Sequence, residues 1–132
     1  MAARLLRERN ANRWIAVAWA ASWVLLGWLM LSPRPEVAVP SGMDKFVHFA
    51  VYLVMASAAY GFCRTRRGLG VVALLTLALS ALFEYGQSFV PGRSFEAADL
   101  AANATGTLLG YLLAAGLLMR SARSPGHVRR RG

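Results

Sequence analysis

The sequence predicts an all-α integral membrane protein: a four-helix bundle with both termini on the cytoplasmic side and short extracytoplasmic loops. Three observations lead there. Of the 132 residues, 57% are hydrophobic and only 16% are charged. The apolar residues fall into four blocks nearly free of charge, each long enough to cross roughly 30 Å of hydrocarbon at about 1.5 Å per residue. Most of the arginines lie between or outside those blocks. So much apolar material excludes a disordered chain, and a single cysteine, Cys63, excludes an internal disulfide framework. A soluble four-helix bundle needs a polar outer face on every helix, which none of these blocks supplies.

The first span, residues 14–31, is a run of eighteen residues without a charge and with apolar side chains on every face. A basic start before an apolar run also fits a cleaved signal peptide. Eighteen residues is long for such a core, however, and Val37-Ala38-Val39-Pro40 is a poor cleavage site, so the segment is read as the first transmembrane helix. Trp14 and Trp28 suit the two interfaces, whereas Trp19 and Trp23 lie deeper and are expected to pack against the bundle. Pro33, Pro35, Pro40 and Gly42 make the first outer connection extended, and Asp44 opens the second span, about 46–63. Gly68 and Gly70 mark an inner turn before the third span, about 69–90, which Pro91-Gly92 closes. In the fourth span, about 100–119, Gly106 and Gly110 form a small-xxx-small pair that permits close helix packing. The chain thus divides into a basic segment 1–13, a membrane domain 14–119 and a basic tail 120–132. Short loops make consecutive helices antiparallel neighbours.

Lysine and arginine resist translocation, so their distribution sets orientation. The segments before span one, between spans two and three, and after span four hold twelve of the fifteen Lys and Arg residues. The other two loops hold only Arg34, Lys45 and Arg93, balanced by Glu36, Asp44, Glu96 and Asp99. Both termini are therefore predicted inside. The tail Arg129 to Arg131 is explained by cytoplasmic retention and attraction to anionic lipid, so no nucleic-acid partner is expected.

Ionisable groups inside a bilayer are costly unless paired or hydrated, which makes their placement informative. Asp44, His48 and Tyr52 are spaced by four on one face of span two. Glu84 and Gln87 share a face of span three, as do Asp99 and Asn103 of span four. Counted at about 1.5 Å per residue, His48, Tyr52, Glu84, Gln87 and Asn103 all fall within roughly the outer third of the hydrocarbon. The loop 91–96 can fold over them and bring Arg93 near Glu84 or Asp99. These residues are read as a polar pocket opening to the outer side.

The order Asp44-Lys45-x-x-His48-Phe49-x-x-Tyr52, then Glu84-x-x-Gln87-x-Phe89-x-Pro91-Gly92-Arg93-Ser94, then Asp99-x-x-x-Asn103-x-x-Gly106-x-x-x-Gly110 resembles the VanZ-like family over residues 44–110. Glu96 departs from the pattern, since relatives more often carry Asp there, but a carboxylate is kept. The resemblance implies a small multi-span protein of the bacterial cytoplasmic membrane, whose namesake is linked to resistance to the glycopeptide teicoplanin.

Several roles stay open for these residues. Glu84 accepts a proton, holds a cation, or forms a structural ion pair with Arg93. His48 is either a general base oriented by Asp44 or a histidine bonded to a loop; with no evident Ser or Cys nucleophile nearby, the second is favoured. His48 and Glu84 are nonetheless the candidates for catalysis. Asp44 and Asp99 are explained as helix-start carboxylates, and Ser94 as a turn or cap residue. Gln87 and Asn103, one turn inside, are expected to bond across helices or to a ligand. His48, Glu84 and Asp99 are conceivable metal ligands, but the sequence lacks dense His or Cys spacing, so no metal is assigned. No nucleotide, dinucleotide, zincin or hydrolase motif is present, and no cofactor is expected.

The leading reading is a cell-envelope protein whose pocket binds an anionic group, a lipid phosphate or an envelope-precursor carboxylate. Lys45 and Arg93 attract it, and Asp44, His48, Tyr52, Glu84, Gln87, Asp99 and Asn103 complete the lining. The alternatives are an intramembrane enzyme with His48 and Glu84 as proton carriers, and a scaffold in which the cluster is structural glue. The expected partners are membrane lipids and an envelope precursor, and the sequence names no protein partner.

Overall fold

The computed structural model describes residues 2–33 and 42–123, with side chains described from Asn10 onward. The expected extended connection at 34–41 and the basic tail at 124–132 lie outside the described residues. The described residues form four α-helices: α1 (Ala2–Leu31), α2 (Met43–Ala58), α3 (Arg66–Gln87) and α4 (Ala97–Arg123), with a 3₁₀ turn at Ala59–Gly61 after α2. Among the described residues, three helical segments are long and apolar enough to cross a membrane: Asn10–Leu31, Arg66–Gln87 and Ala97–Arg123. The second expected span is shorter, because α2 has only 16 residues.

Helix ends follow local chemistry, and in two places they differ from expectation. α2 starts behind Gly42, whose φ of 84° is left-handed and available at no steric cost to glycine. Asp44 therefore does not cap the helix; it lies in the first turn, where its carboxylate meets Lys45. α3 starts at Thr65, whose hydroxyl accepts the Gly68 backbone N–H at 3.1 Å. Gly68 and Gly70 consequently sit inside α3, and the inner turn lies just before them. Gly92, with φ of 75°, makes the tight turn after α3 where Pro91-Gly92 was expected to close it.

The interior mixes two apolar clusters with an unusual number of polar side chains. Val24, Leu74, Leu82 and Leu112 are among the many exposed large apolar residues, while His48, Thr76, Ser80, Glu84, Gln87, Asp99, Asn103 and Thr107 are buried. That arrangement suits hydrocarbon outside and hydrogen bonding inside. Trp14 and Trp28 are 70% and 68% exposed, whereas Trp23 is 7% exposed and packs on Tyr52 and Phe83. Trp19 meets Trp23 edge to face and Phe62 at a tilt, and donates its indole N–H to the Met55 carbonyl at 2.8 Å. Trp19 and Trp23 thus pack against the bundle as expected, while Trp14 and Trp28 face outward.

The closest helix pair, α2 with α4, is not consecutive in the chain. A Cβ on Gly106 would lie 2.3 Å from the Phe49 carbonyl oxygen, and one on Gly110 would lie 2.5 Å from that of Leu53. Only glycine admits such a backbone approach. Asn103 meets His48, Gly106 meets Phe49 and Gly110 meets Leu53, so α2 and α4 run parallel. α3 packs on α4, and α1 lies against α3 and the 3₁₀ turn.

Candidate functional site

Three helices and one loop supply the site. On α2, Asp44, His48 and Tyr52 are spaced by four; His48 faces α4, Tyr52 packs against Trp23, both are buried, and the Asp44 side chain is 20% exposed. On α3, Thr76, Ser80, Glu84 and Gln87 form one buried file. On α4, Asp99, Asn103 and Thr107 do the same. Their burial is near complete at the centre: His48 is 4% exposed, Glu84 1%, Asp99 2% and Asn103 0%.

His48 links α2 to α4. Its Nδ1 lies 3.0 Å from Asn103 Oδ1, which places the hydrogen on Nδ1 as donor to the amide oxygen. Its Nε2 lies 3.8 Å from Asp99 Oδ2, beyond hydrogen-bond range. Glu84 Oε1 accepts the backbone N–H of Glu96 at 2.9 Å, which pins the loop before α4 onto α3.

Lys45 lies at the rim. Its ammonium is 2.9 Å from Glu96, 3.2 Å from Asp44 and 3.4 Å from Asp99. The hydrogen bond from Lys45 holds the Asp44 carboxyl below its ordinary pKa. The hydrogen bonds to Glu96 and then to Asp44 push the Lys45 ammonium well above the usual lysine value. The Asp99 contact, through Oδ1, has ion-pair distance without hydrogen-bond geometry, and Asn103 Nδ2 is also buried without a hydrogen-bond partner.

Arg93 turns elsewhere. Its Nε donates to the Ser32 carbonyl at 2.7 Å and one terminal nitrogen donates to that of Leu29 at 2.9 Å, so it closes the C-terminal end of α1. The ion pair considered between Glu84 and Arg93 is replaced by the Glu96 backbone contact. Gln87 donates to Met30 Sδ at 3.3 Å, a weak acceptor. Beneath the loop, a cavity of about 30 Å³ is lined by Gln87, Gly92, Arg93, Ser94, Glu96 and Asp99. It has room for a water or an ion rather than a headgroup.

Of the nine binding residues expected from sequence, Asp44, Lys45, His48, Glu84, Asp99 and Asn103 form this cluster. Gln87 and Arg93 line the neighbouring cavity, and Tyr52 packs with Trp23 and Met55 beneath it. Glu96 was not among the nine, yet its side chain holds Lys45 and its backbone holds Glu84. No spacing in the sequence singled Glu96 out; only its position in the loop just before α4, beside Asp99, hinted at a role.

The model of the VanZ/LLP1 family matches residues 5–120, which extends the resemblance seen over 44–110 to nearly the whole helical region. No curated protein and no solved structure matches the chain.

Proposed function

Because the chain belongs to the VanZ/LLP1 family, we propose that it is a four-span protein of the bacterial cytoplasmic membrane, with both termini inside, whose outer-side polar site receives the headgroup of an envelope lipid or lipid-linked precursor. The observation that carries this reading is the convergence of buried His48, Glu84, Asp99 and Asn103, drawn from α2, α3 and α4, within an apolar outer surface. Such groups in hydrocarbon mark a ligand path or site by default.

Two features support the topology. Together α2 and its 3₁₀ turn reach roughly 30 Å, about one hydrocarbon thickness. At the far end of α3, about 27 Å from Glu84, Arg66 and Arg67 join Tyr111, Leu112, Ala115 and Met119 around a groove of about 560 Å³. A basic groove at that end fits anionic lipid on the cytoplasmic side.

The recruitment of an anion by Lys45 and Arg93 takes a modified form. Lys45 is held by carboxylates and Arg93 binds α1 carbonyls, so a phosphate reaching the cluster meets Asp44, Glu84, Glu96 and Asp99 as well. Arg93, on the cavity wall, is its first cationic contact; admission of a headgroup to a cavity this small requires the loop 88–96 to open.

Lipid mass spectrometry on gently purified protein tests the reading. Glu84→Gln keeps an oxygen for the Glu96 N–H but removes the charge, so the fold persists while the amount of co-purifying envelope lipid changes at least tenfold. Equal lipid profiles contradict it. An enzymatic version draws on the His48 ring held between Asn103 and Asp99. It requires conversion of the bound lipid at a pH-dependent rate that His48→Ala abolishes. A scaffold role instead requires that the same variants lose activity only as they lose protein. If the teicoplanin link extends to this chain, its expression lowers glycopeptide susceptibility; unchanged susceptibility removes that link and leaves the lipid reading standing.

A further inference from the structure

We infer that His48, Glu84 and Asp99 form a binding site for one divalent transition-metal ion, with zinc the best match to the ligand set, and that this ion presents the headgroup phosphate to the protein. The second half rests on the lipid reading above; the metal site stands on its own geometry.

The His48 ring nitrogen and one carboxylate oxygen each from Glu84 and Asp99 lie within 4.8 Å of one another, and all three residues are buried. Zinc ligands at about 2.0–2.2 Å from the ion stand roughly 3–4 Å apart, so the set closes on an ion with shifts of about 1 Å or less. The 3.8 Å between His48 Nε2 and Asp99 Oδ2 is too long for a hydrogen bond and right for two ligands of one ion.

Each ligand is also held from behind. Asn103 Oδ1 takes the Nδ1 hydrogen of His48 and leaves the Nε2 lone pair for a metal, the usual support of a metal-binding histidine. The Glu96 N–H fixes Glu84, and the Lys45 ammonium fixes Asp99. A second acidic group, Asp44, Glu96 and Asp99, is equally close-set, but Lys45 contacts all three and already supplies its counter-charge.

Two further observations point to a missing partner. Lys45 already serves the carboxylates of Asp44, Glu96 and Asp99, and the buried carboxylates of Glu84 and Asp99 in a bilayer bundle require compensation. Independently, Asn103 is 0% exposed and its Nδ2 has no hydrogen-bond partner, on the same side chain whose oxygen holds His48. Asp99 Oδ1, an oxygen of one of the three ligands, is likewise buried without a hydrogen bond. One imidazole with two carboxylates favours zinc or manganese over calcium or magnesium, which prefer all-oxygen sites. Three protein ligands leave a coordination position open for phosphate.

The test uses the full chain in detergent, stripped with chelator and titrated with zinc, manganese and magnesium by calorimetry, with thermal unfolding read in parallel. One equivalent of zinc is expected to bind and raise the Tm of the unaltered protein, a readout that needs no variant. Glu84→Gln and Asp99→Asn should weaken binding at least a hundredfold, Asn103→Ala about 10–100-fold, and Asp44→Asn little. Absence of any zinc-dependent Tm shift or heat, or affinities unchanged in all four variants, overturns the metal site. Lipid retention that depends on Glu84 but not on metal also overturns the bridging role while leaving the lipid reading intact. Stoichiometric zinc without lipid retention upholds the site and sinks the lipid reading.

Discussion

Single residues in this protein are defined by what neutralises them. Lys45 shows this most simply, because three carboxylates meet its ammonium. Its raised pKa in the folded chain means that its stabilising contribution is present in full below the unfolded lysine value of about 10.4 and is lost as pH rises above it. Thermal unfolding followed from pH 8 upward should therefore show an alkaline decline in the native chain that is reduced in Lys45→Met; superimposable pH dependences would contradict the assignment. Asp44 has the opposite sign: its lowered pKa makes its contribution present above about pH 3.9 and lost as pH falls further. The sequence made most of this cluster legible, because spacing by four or three fixes which side chains share a helix face. Glu96 was not legible in the same way, since its role depends on how a loop folds and on a backbone N–H that no residue pattern encodes. Nor was the pairing of Gln87 with Met30, which joins two helices at a sulfur atom.

At the scale of the element, the parallel contact of α2 with α4 does the positioning. It brings His48 to Asn103 and depends on glycine at the two points of closest approach. Gly106→Ala and Gly110→Ala should each destabilise the protein by about 1–3 kcal/mol through overpacking. Gly116→Ala, where nothing lies within 4 Å, should be neutral or slightly stabilising. Denaturation midpoints in detergent check the contrast, and equal midpoints for the three would refute the packing argument. The small-xxx-small spacing announced a close contact, but not that its partner is α2 rather than a consecutive helix. Arg93 is the other element-scale device, fastening the loop before α4 to the end of α1. Arg93→Ala should loosen that end, costing about 1.5–3 kcal/mol for each charged hydrogen bond lost. Arg93→Lys should recover only part of it, because a point charge cannot reproduce the planar fork. Full recovery by lysine, measured as Tm, would show that charge alone matters. Helix starts were the least legible feature: Gly42 displaced the expected Asp44 cap and Thr65 displaced the Gly68 turn, since a backbone φ or one hydroxyl decides where the first turn closes.

The described residues combine buried polar files with two apolar clusters inside an apolar outer surface, with Arg66 and Arg67 at the end opposite the polar cluster. The all-helical, apolar class was legible because hydrocarbon demands long charge-free helices, and so was the packing of Trp19 and Trp23 inside the bundle. The second expected span was the weakest element of that reading, since α2 has 16 residues and is not among the three helical segments long and apolar enough to cross a membrane. Everything proposed for function depends on which face of the membrane the cluster meets. The direct measurement is labelling of single cysteines by a membrane-impermeant maleimide in intact cells, with Cys63 replaced by alanine. Ser94→Cys, exposed in the loop beside the cavity, should label at once, and Ala122→Cys, exposed near the end of α4, should label only after permeabilisation. Labelling in the reverse order would put the cluster on the cytoplasmic side and contradict the outer-side site.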